Sequence, residues 1–218
     1  MSKPLLVLVG AGPGVSAGVA RKFGAKGYRI VLVARSEPSL SLYTKELHEN
    51  EIEAYSVQAD ASDTDSLIAA FAHIQAEYGA TDVLVYNAAA LVQGNPSSLT
   101  EEQLIHDFKV NVVGALTSAK QVIPSFVERK QGTILFTGGG LALYPAAALT
   151  SLSIGKAGIR SLAFTLAEEL QPHGIHVGTV TIAGGVKPGT FFDPDAIAES
   201  YWDLHANRDK NEIVFKQP

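Results

Sequence analysis

Short apolar runs, rich in β-branched residues, alternate with helix-length segments along almost the whole chain. The runs cover residues 5–9, 29–33, 54–57, 82–85, 133–136 and 175–182, with a last short run at 212–215. Strands that are apolar on both faces and separated by helices form parallel sheets that are covered on two sides. The sequence therefore predicts an α/β fold, a doubly wound parallel sheet of six to seven strands with helices on both faces.

The intervening segments carry helix start and stop signals. Asp63 precedes a predicted helix over 64–78, and Gly79 follows it. The longest helical segment, 99–128, contains Pro124, which we expect to kink the helix or end it early.

The size of the chain fits one well-buried domain. It has 218 residues, of which 46% are hydrophobic, and no Pro/Ser-rich linker or repeat divides it. We expect a single domain over residues 1–218.

Composition excludes several classes of partner and chemistry. The net charge is -5 and no dense Lys/Arg stripe is present, which argues against nucleic acid and anionic membranes. The chain has no cysteine, and its six histidines form no ligand pattern, so we expect no metal site. The apolar run before Gly10 is too short for a signal peptide core or a membrane span. We expect a cytoplasmic protein with a small-molecule substrate.

A glycine turn follows the first predicted strand. It reads Gly10-Ala11-Gly12-Pro13-Gly14-Val15-Ser16 and opens a helix of small residues. Glycines let the backbone approach a ligand closely, and the free N–H groups of a helix start favour phosphate. The turn predicts a nucleotide site, although a tight strand-to-helix turn without a ligand is the alternative.

The exit of the second predicted strand indicates which nucleotide. In doubly wound sheets the ligand lies beyond the carboxyl ends of the strands, where an acidic residue usually accepts from the ribose of NAD. Arg35 and Ser36 stand there instead. A guanidinium binds phosphate with paired hydrogen bonds, so the sequence favours NADP(H), with a solvated loop arginine as the alternative. Arg35 also argues against an S-adenosylmethionine methyltransferase, which would need an acid at this point.

These residues resemble the short-chain dehydrogenase/reductase family over nearly the whole chain. Ser16 replaces the last glycine of that family's turn, Asp60-Ala61 matches its adenine-side aspartate, and Asn87-Ala88-Ala89 and Asn111 resemble its two asparagine motifs. The resemblance implies a Rossmann-type fold and a homodimer or homotetramer that pairs through segments 99–128 and 151–171. The cofactor-binding candidates are Gly10, Gly12, Gly14, Val15, Ser16, Arg35, Ser36, Asp60, Ala61, Asn87, Ala88, Ala89, Lys156, Gly184 and Val186.

The family's proton-transfer groups are the point of departure. The resemblance places a catalytic tyrosine four residues before a lysine on one helix face, and a serine after the fifth strand. Lys156 is present, but Leu152 stands at the tyrosine position and Gly139 at the serine position. The catalytic candidates are therefore Asn111, Lys156 and Tyr144, the last as a relocated proton donor or an aromatic lid residue.

Two functions remain open at this point. The first is an NADP(H)-dependent oxidoreductase that acts on a small carbonyl or an activated double bond with a non-standard active site. The second is an NADPH-binding protein without redox turnover, such as a sensor or partner subunit. Loss of the acid and of the oxygen-stabilising group favours the second, whereas Lys156 and Asn111 favour the first. The segment between Gly184 and Asp193 is short, which predicts a small lid.

Overall fold

The computed structural model describes residues 3–218, so the first two residues of the predicted domain lie outside the described part. Seven strands form one sheet in the order β3-β2-β1-β4-β5-β6-β7, and every neighbouring pair is parallel. This confirms the predicted doubly wound sheet. The strands are β1 (Leu5–Val9), β2 (Arg29–Ala34), β3 (Ala54–Gln58), β4 (Val83–Tyr86), β5 (Gly132–Gly139), β6 (Ile175–Ile182) and β7 (Glu212–Phe215).

Helices connect the strands and cover both faces of the sheet. Single turns of 3-10 helix occur at Gly140–Ala142 and Gln171–His173. The α-helices are α1 (Val15–Ala25), α2 (Glu37–Glu49), α3 (Thr64–Tyr78), α4 (Glu101–Phe108), α5 (Gly114–Arg129), α6 (Thr150–Leu170) and α7 (Pro194–Asn207). The predicted helix over 64–78 is confirmed, with the Asp63 side chain accepting hydrogen bonds from the backbone of its first turn.

The alternating side chains of the strands feed two separate cores. On one face Val7 and Phe136 pack with α3, α5 and α6, and on the other Leu8 and Leu135 pack with α1, α2 and α7. All four side chains are fully buried. Two layers of helix therefore explain why the strands are apolar on both faces. Because the helices cover these faces, a ligand can bind only at the edges of the sheet.

The segment 99–128 differs from its prediction in two ways. A π-helical turn over Lys109–Val113 separates α4 from α5. The expectation that Pro124 ends the helix early is wrong, because α5 continues through Pro124 to Arg129. Pro124 lies on the exposed face of α5, where water can satisfy the carbonyl that its missing N–H leaves free, while buried Val122 and Phe126 anchor the helix on either side.

Among residues 3–218, no helix is both long enough and apolar enough to cross a membrane.

Candidate active site at the carboxyl edge of the sheet

The strand order reverses between β1 and β4, and an open groove lies beyond their carboxyl ends. The groove has two parts. The first cleft, of about 320 Å³, lies beyond β1, β2, β3 and β4, and the second cleft, of about 730 Å³, lies beyond β5 and β6. Asn87, Ala89 and Leu91 line both clefts, so the two are continuous. This is the place where doubly wound sheets bind ligands.

The glycine turn lies at the junction of the clefts. Gly10 has a φ of 89°, and a Cβ atom there would lie 2.3 Å from the backbone nitrogen of Ala88. Only glycine fits this close approach of two chain segments. Helix α1 begins at Val15 with Gly14 as its N-cap, so no side chain caps its first turn and backbone N–H groups remain for an anion.

Ser16 is part of the turn's own hydrogen bonding. Its hydroxyl donates to the carbonyl of Gly12 at 2.9 Å and accepts from the N–H of Gly12 at 2.8 Å. The side chain is 1% exposed. Ser16 therefore fixes the shape of the turn, and its hydroxyl does not face the groove.

Arg35 and Asp60 line the first cleft from neighbouring strand ends. Arg35 is exposed after β2. Burial opposes ionisation of Asp60, but hydrogen bonds from the N–H and hydroxyl of Ser62, both at 2.8 Å, and the charge of Arg35 lower its pKa below the ordinary value. Ser36 caps α2, its hydroxyl accepting from Ser39. A cation and an anion thus occupy the rim of one cleft, with Ala61 beside them.

Asn87 joins the ends of three strands. Its amide donates to the carbonyl of Gly10 at 2.9 Å, and its oxygen accepts from the hydroxyl of Thr137 at 2.9 Å. The Thr137 hydroxyl is also 2.7 Å from the hydroxyl of Tyr201, which is fully buried on α7. These hydrogen bonds give Asn87 a structural role, because they hold the turn that contains Ala88 and Ala89 over β1.

Asn111 lies in the π-helical turn between α4 and α5. It is 3% exposed, and its oxygen accepts from the N–H of Ala90 at 2.8 Å. Its amide nitrogen is buried without a hydrogen-bond partner among the described residues. A Cβ atom at Gly155 would lie 2.6 Å from the Asn111 side chain, so the glycine before Lys156 lets α6 pack against this turn.

Lys156 projects from α6 into the second cleft. Its ammonium donates to the carbonyl of Thr137 at 2.7 Å, and burial lowers its pKa to about 8. A Cβ atom at Gly139 would lie 3.3 Å from the methylene groups of the Lys156 stem. Leu152, four residues earlier on α6, lines the same cleft.

Tyr144 lies at the rim of the second cleft, where it is 78% exposed. Its N–H donates to the carbonyl of Gly140 at 2.8 Å, which is the same carbonyl that accepts from Leu143 at 2.9 Å in the 3-10 turn after β5. The structure thus brings Tyr144 to the same cleft as Lys156, whereas Asn111 does not line either cleft.

Gly184 and Val186 form the far wall of the second cleft. A Cβ atom at Gly184 would lie 2.1 Å from the ring of Phe192, so the segment folds back on itself here. The N–H of Gly189 donates to the carboxylate of Asp193 at 2.7 Å and tightens the loop before α7. The predicted short lid is therefore a compact loop.

Comparison with known proteins places the chain in a family. The family model for short chain dehydrogenases matches residues 5–192. The chain belongs to the short-chain dehydrogenase family.

Relatives of this short-chain dehydrogenase differ in length and in stated activity. A short chain dehydrogenase of Pseudocercospora fijiensis is 28% identical over 189 residues, which are 84% of this chain and 58% of that protein. The 3beta-hydroxysteroid dehydrogenase 1 of Eggerthella lenta is 31% identical over 201 residues, 88% of this chain and 76% of that protein. The chain thus spans less than two thirds of the first relative.

Solved structures include a metagenomic short-chain oxidoreductase in complex with NADP. It is 28% identical, has a TM-score of 0.88, and the match covers 98% of this chain and 97% of that one.

Three leucines in the walls of the second cleft were not among the residues expected there. Leu91 lines the cleft from the loop after β4, whereas Leu141 and Leu149 line it from the connection between β5 and α6. The apolar pair Leu91-Val92, shortly after the Asn87 turn, is the signal that the sequence offered. The role of Thr137 in binding both Asn87 and Tyr201 carried no sequence signal, because it depends on a contact with α7.

Proposed function

We propose that this short-chain dehydrogenase is an NADP(H)-dependent oxidoreductase, one domain over its whole length, that acts on a small carbonyl or related substrate through a non-standard active site. The observation that carries the proposal is a continuous groove with Arg35 in one cleft, Lys156 in the other and the uncapped start of α1 between them. The dimensions and charges suit a dinucleotide with an additional phosphate.

The groove fits the cofactor on its own geometry. Gly10 keeps the turn free of side chain where it meets Ala88, and Arg35 makes no ion pair among residues 3–218. When bound, NADP(H) supplies the two-electron redox chemistry. The residues that would hold it are Gly10, Gly12, Gly14, Val15, Arg35, Ser36, Asp60, Ala61, Asn87, Ala88, Ala89, Lys156, Gly184 and Val186, with Ser16 shaping the turn. The NADP complex of the metagenomic oxidoreductase supports the choice of cofactor.

The catalytic roles follow from what each side chain contacts. Lys156 lines the second cleft, where it would hold the sugar of the cofactor and its ammonium would stabilise negative charge on a reacting oxygen. Tyr144 is the phenol nearest the rim and donates a proton. Asn111 positions Ala90, and through it the loop that follows Asn87. Leu152 and Gly139 occupy the positions of the family's tyrosine and serine. Turnover therefore depends on Tyr144 as the proton donor and on Lys156 as the group that stabilises the oxygen.

An NADPH-binding protein without turnover is the second candidate. It is favoured by one observation, that Gly139 and Leu152 line the second cleft without a hydroxyl group. Without oriented acid catalysis and oxygen stabilisation, the reaction loses about two to four orders of magnitude for each group.

Cofactor titration tests both candidates together. Thermal shift should show stabilisation by NADPH that exceeds that by NADH. Arg35→Ala should weaken the binding of NADPH by about ten-fold to a hundred-fold, because the guanidinium pairs with the additional phosphate. The binding of NADH, which lacks this phosphate, should be unchanged. Lys45→Ala, which removes an exposed cation on α2 outside both clefts, is the control. No shift with either nucleotide would rule out both functions.

Turnover separates the two candidates. NADPH oxidation should be screened over aldehydes, ketones, quinones and enoyl compounds. Activity that falls about a hundred-fold in Tyr144→Phe and survives in Tyr43→Phe supports the enzyme and assigns the proton donor. A protein that binds NADPH but turns over none of these substrates is the sensor or partner subunit.

Assembly and location remain predictions. We propose a homodimer or homotetramer that pairs through α5 and α6, supported by the exposed apolar side chains Leu116, Ile154 and Phe164 on these helices. Sedimentation of the wild type and of Phe164→Asp measures the assembly. A cytoplasmic location and the absence of nucleic-acid or membrane partners are predicted from composition alone.

A further inference from the structure

Lys156 is a cation in a cleft that has no acidic side chain. Of the described residues that line the second cleft, none is Asp or Glu, and Lys156 forms no ion pair. The only other polar side chains in the lining are Asn87, Thr137 and Tyr144. The ammonium therefore has no protein counter-charge at this site.

Two of the other polar side chains are already committed. The Asn87 amide and oxygen bind Gly10 and Thr137, and the Thr137 hydroxyl binds Asn87 and Tyr201. Two polar groups remain available to a ligand. One is the ammonium of Lys156, which makes one hydrogen bond to a backbone carbonyl, and the other is the phenol of Tyr144 at the rim.

Because the described lining of the cleft has no acidic side chain, nothing there opposes the effect of burial on the pKa of Lys156. Burial lowers the pKa of Lys156 to about 8, and no neighbouring carboxylate opposes this effect. A ligand with a negative oxygen would supply the missing charge and stabilise the ammonium against loss of its proton, so part of its binding energy would come from relief of the cost of burial.

The remaining walls of the cleft are apolar. They are formed by Leu91, Leu141, Leu149, Leu152, Ile182 and Val186 around a volume of about 730 Å³. Leu91 and Val186 are 72% and 39% exposed, which leaves apolar surface at the mouth as well as inside. Such walls bind a hydrocarbon or aromatic body. A carboxylate is already ionised and strongly hydrated in water, so it loses more on entering apolar walls than a phenol or enol, which can enter neutral and ionise beside the ammonium.

We propose that the second cleft binds an apolar molecule that carries one acidic oxygen, of the phenol or enol type, and that this oxygen ionises against Lys156. The inference rests on the proposed function, since it names the class of substrate or product that would share the groove with the cofactor. The absence of a side-chain hydroxyl at Gly139 and Leu152 leaves the space beside Lys156 to the ligand's own oxygen.

Two probes that differ only in the acidic oxygen test the proposal. 4-Nitrophenol becomes visibly yellow when it ionises, and 4-nitroanisole has the same ring with a methyl ether. We expect bound 4-nitrophenol to ionise with its pKa lowered by about one unit or more, a ten-fold or larger preference for the anion. 4-Nitroanisole should bind at least about ten-fold more weakly.

Variants assign the effect to the lysine. Lys156→Met should abolish the pKa shift and reduce 4-nitrophenol binding to the level of 4-nitroanisole. Lys120→Met, which removes an exposed lysine of α5 outside the cleft, should leave both unchanged. Lys156→Gln is a second variant for the same position, with circular dichroism as the check on folding. If neither variant folds, the wild-type comparison of the two probes still decides.

The outcomes distinguish this inference from the proposed function. NADPH binding is followed in the same samples by nucleotide fluorescence. Binding of NADPH without ionisation of 4-nitrophenol, equal binding of the two probes, or an unchanged shift in a folded Lys156→Met would overturn the inference alone. Ionisation of 4-nitrophenol without any binding of NADPH would support the inference and overturn the proposed cofactor.

Discussion

At the scale of single residues, Gly10 is restrained both by its backbone conformation and by its close neighbours. Its φ of 89° and the 2.3 Å approach of a Cβ atom to the Ala88 nitrogen act together. Gly10→Ala should cost about 3 kcal/mol or more, from an unfavourable backbone conformation and from overpacking. Urea unfolding measures this loss, and NADPH titration of any folded variant should show weakened binding because the turn must move.

Gly27 allows the cost of the backbone conformation to be separated from the cost of the close contact. Gly27 has the same φ of 89°, but a Cβ atom there would meet nothing within 4 Å, so Gly27→Ala carries only the conformational cost. We expect about 1 kcal/mol and unchanged NADPH binding. Equal losses at both glycines would show that the contact with Ala88 is not limiting.

Restoring two hydroxyl groups tests the assignment of the active site. In Gly139→Ser combined with Leu152→Tyr, an acid and an oxygen-stabilising donor would again face Lys156. We expect carbonyl reduction with NADPH to rise by about two to four orders of magnitude. The Lys156 stem must shift by a few tenths of an ångström, because it lies 3.3 Å from the new Cβ atom.

The matched control for this gain is Gly139→Ser with Leu152→Phe, which supplies a similar ring without the phenol. Steady-state rates of the two double variants isolate the proton donor. A folded Gly139→Ser/Leu152→Tyr protein that binds NADPH and shows no gain would count against the positions assigned to the two groups.

Side-chain type predicted where a residue lies more reliably than what its atoms bind. Arg35 and Lys156 were expected at the ligand groove from chemistry and spacing, and both line it. Ser16 was expected among the cofactor-binding residues, and its hydroxyl forms hydrogen bonds with both backbone groups of Gly12. A serine hydroxyl both donates and accepts, so its choice between backbone and ligand depends on local geometry that the letters do not contain.

At the scale of elements, β7 is attached to the sheet edge by a charged cluster. Glu212 accepts two hydrogen bonds from Arg160, at 2.8 and 2.7 Å, and one from the hydroxyl of Thr181 at 2.6 Å. The Glu212 side chain is 13% exposed. Arg160→Met should lower the free energy of unfolding by about 1–3 kcal/mol, because it leaves a mostly buried carboxylate with one partner fewer.

An exposed ion pair provides the comparison. Lys45 and Glu49 lie one turn apart on α2, with side chains 75% and 65% exposed. Lys45→Met should change stability by less than about 0.5 kcal/mol. Chemical unfolding of both variants measures the difference, and a loss in Arg160→Met as small as that in Lys45→Met would mean that the cluster does not stabilise β7.

The bounds of a helix could be predicted where a single local signal in the sequence determined them. Helix α3 was predicted with both ends, since Asp63 caps it and Gly79 follows it. The segment 99–128 was not, because Pro124 removes one hydrogen bond while packing on both sides keeps α5 helical. The π-helical turn at Asn111 interrupts the same segment, and Gly155 of α6 packs closely against the Asn111 side chain there.

At the scale of the whole molecule, the sheet was predictable and the second cleft was not. Central strands such as β1 and β4 are buried on both faces, so the apolar run of each is complete within a few consecutive residues. The cleft is assembled from loops after β4, β5 and β6, and its apolar character depends on their assembly in space. The resemblance gave the order of these loops, but the walls contributed by Leu141 and Leu149 follow only from the fold.

The amino edge of the sheet should make the stability of the molecule depend on pH. His205 lies between the hydroxyls of Tyr28 and Thr133, at 2.7 and 3.0 Å, and buried His176 has a ring nitrogen without a partner among residues 3–218. Burial, followed by the charge of Arg208, lowers the pKa of each histidine to about 4. Both rings are therefore neutral in the folded protein at pH values where they bind protons in the unfolded chain.

The sign of the effect follows from proton binding. Between the unfolded value of about 6.5 and the folded value of about 4, the unfolded chain binds more protons, so stability falls as pH falls through this window. Urea unfolding from pH 7 to pH 4 should show this decline, and His205→Asn with His176→Leu should flatten it. His173→Asn, at an exposed histidine, should retain the wild-type slope. The pKa of Glu212 is lowered, so protonation of carboxylates of this kind destabilises the folded protein mainly at lower pH. An unchanged slope in the double histidine variant would assign the decline to groups other than these two histidines.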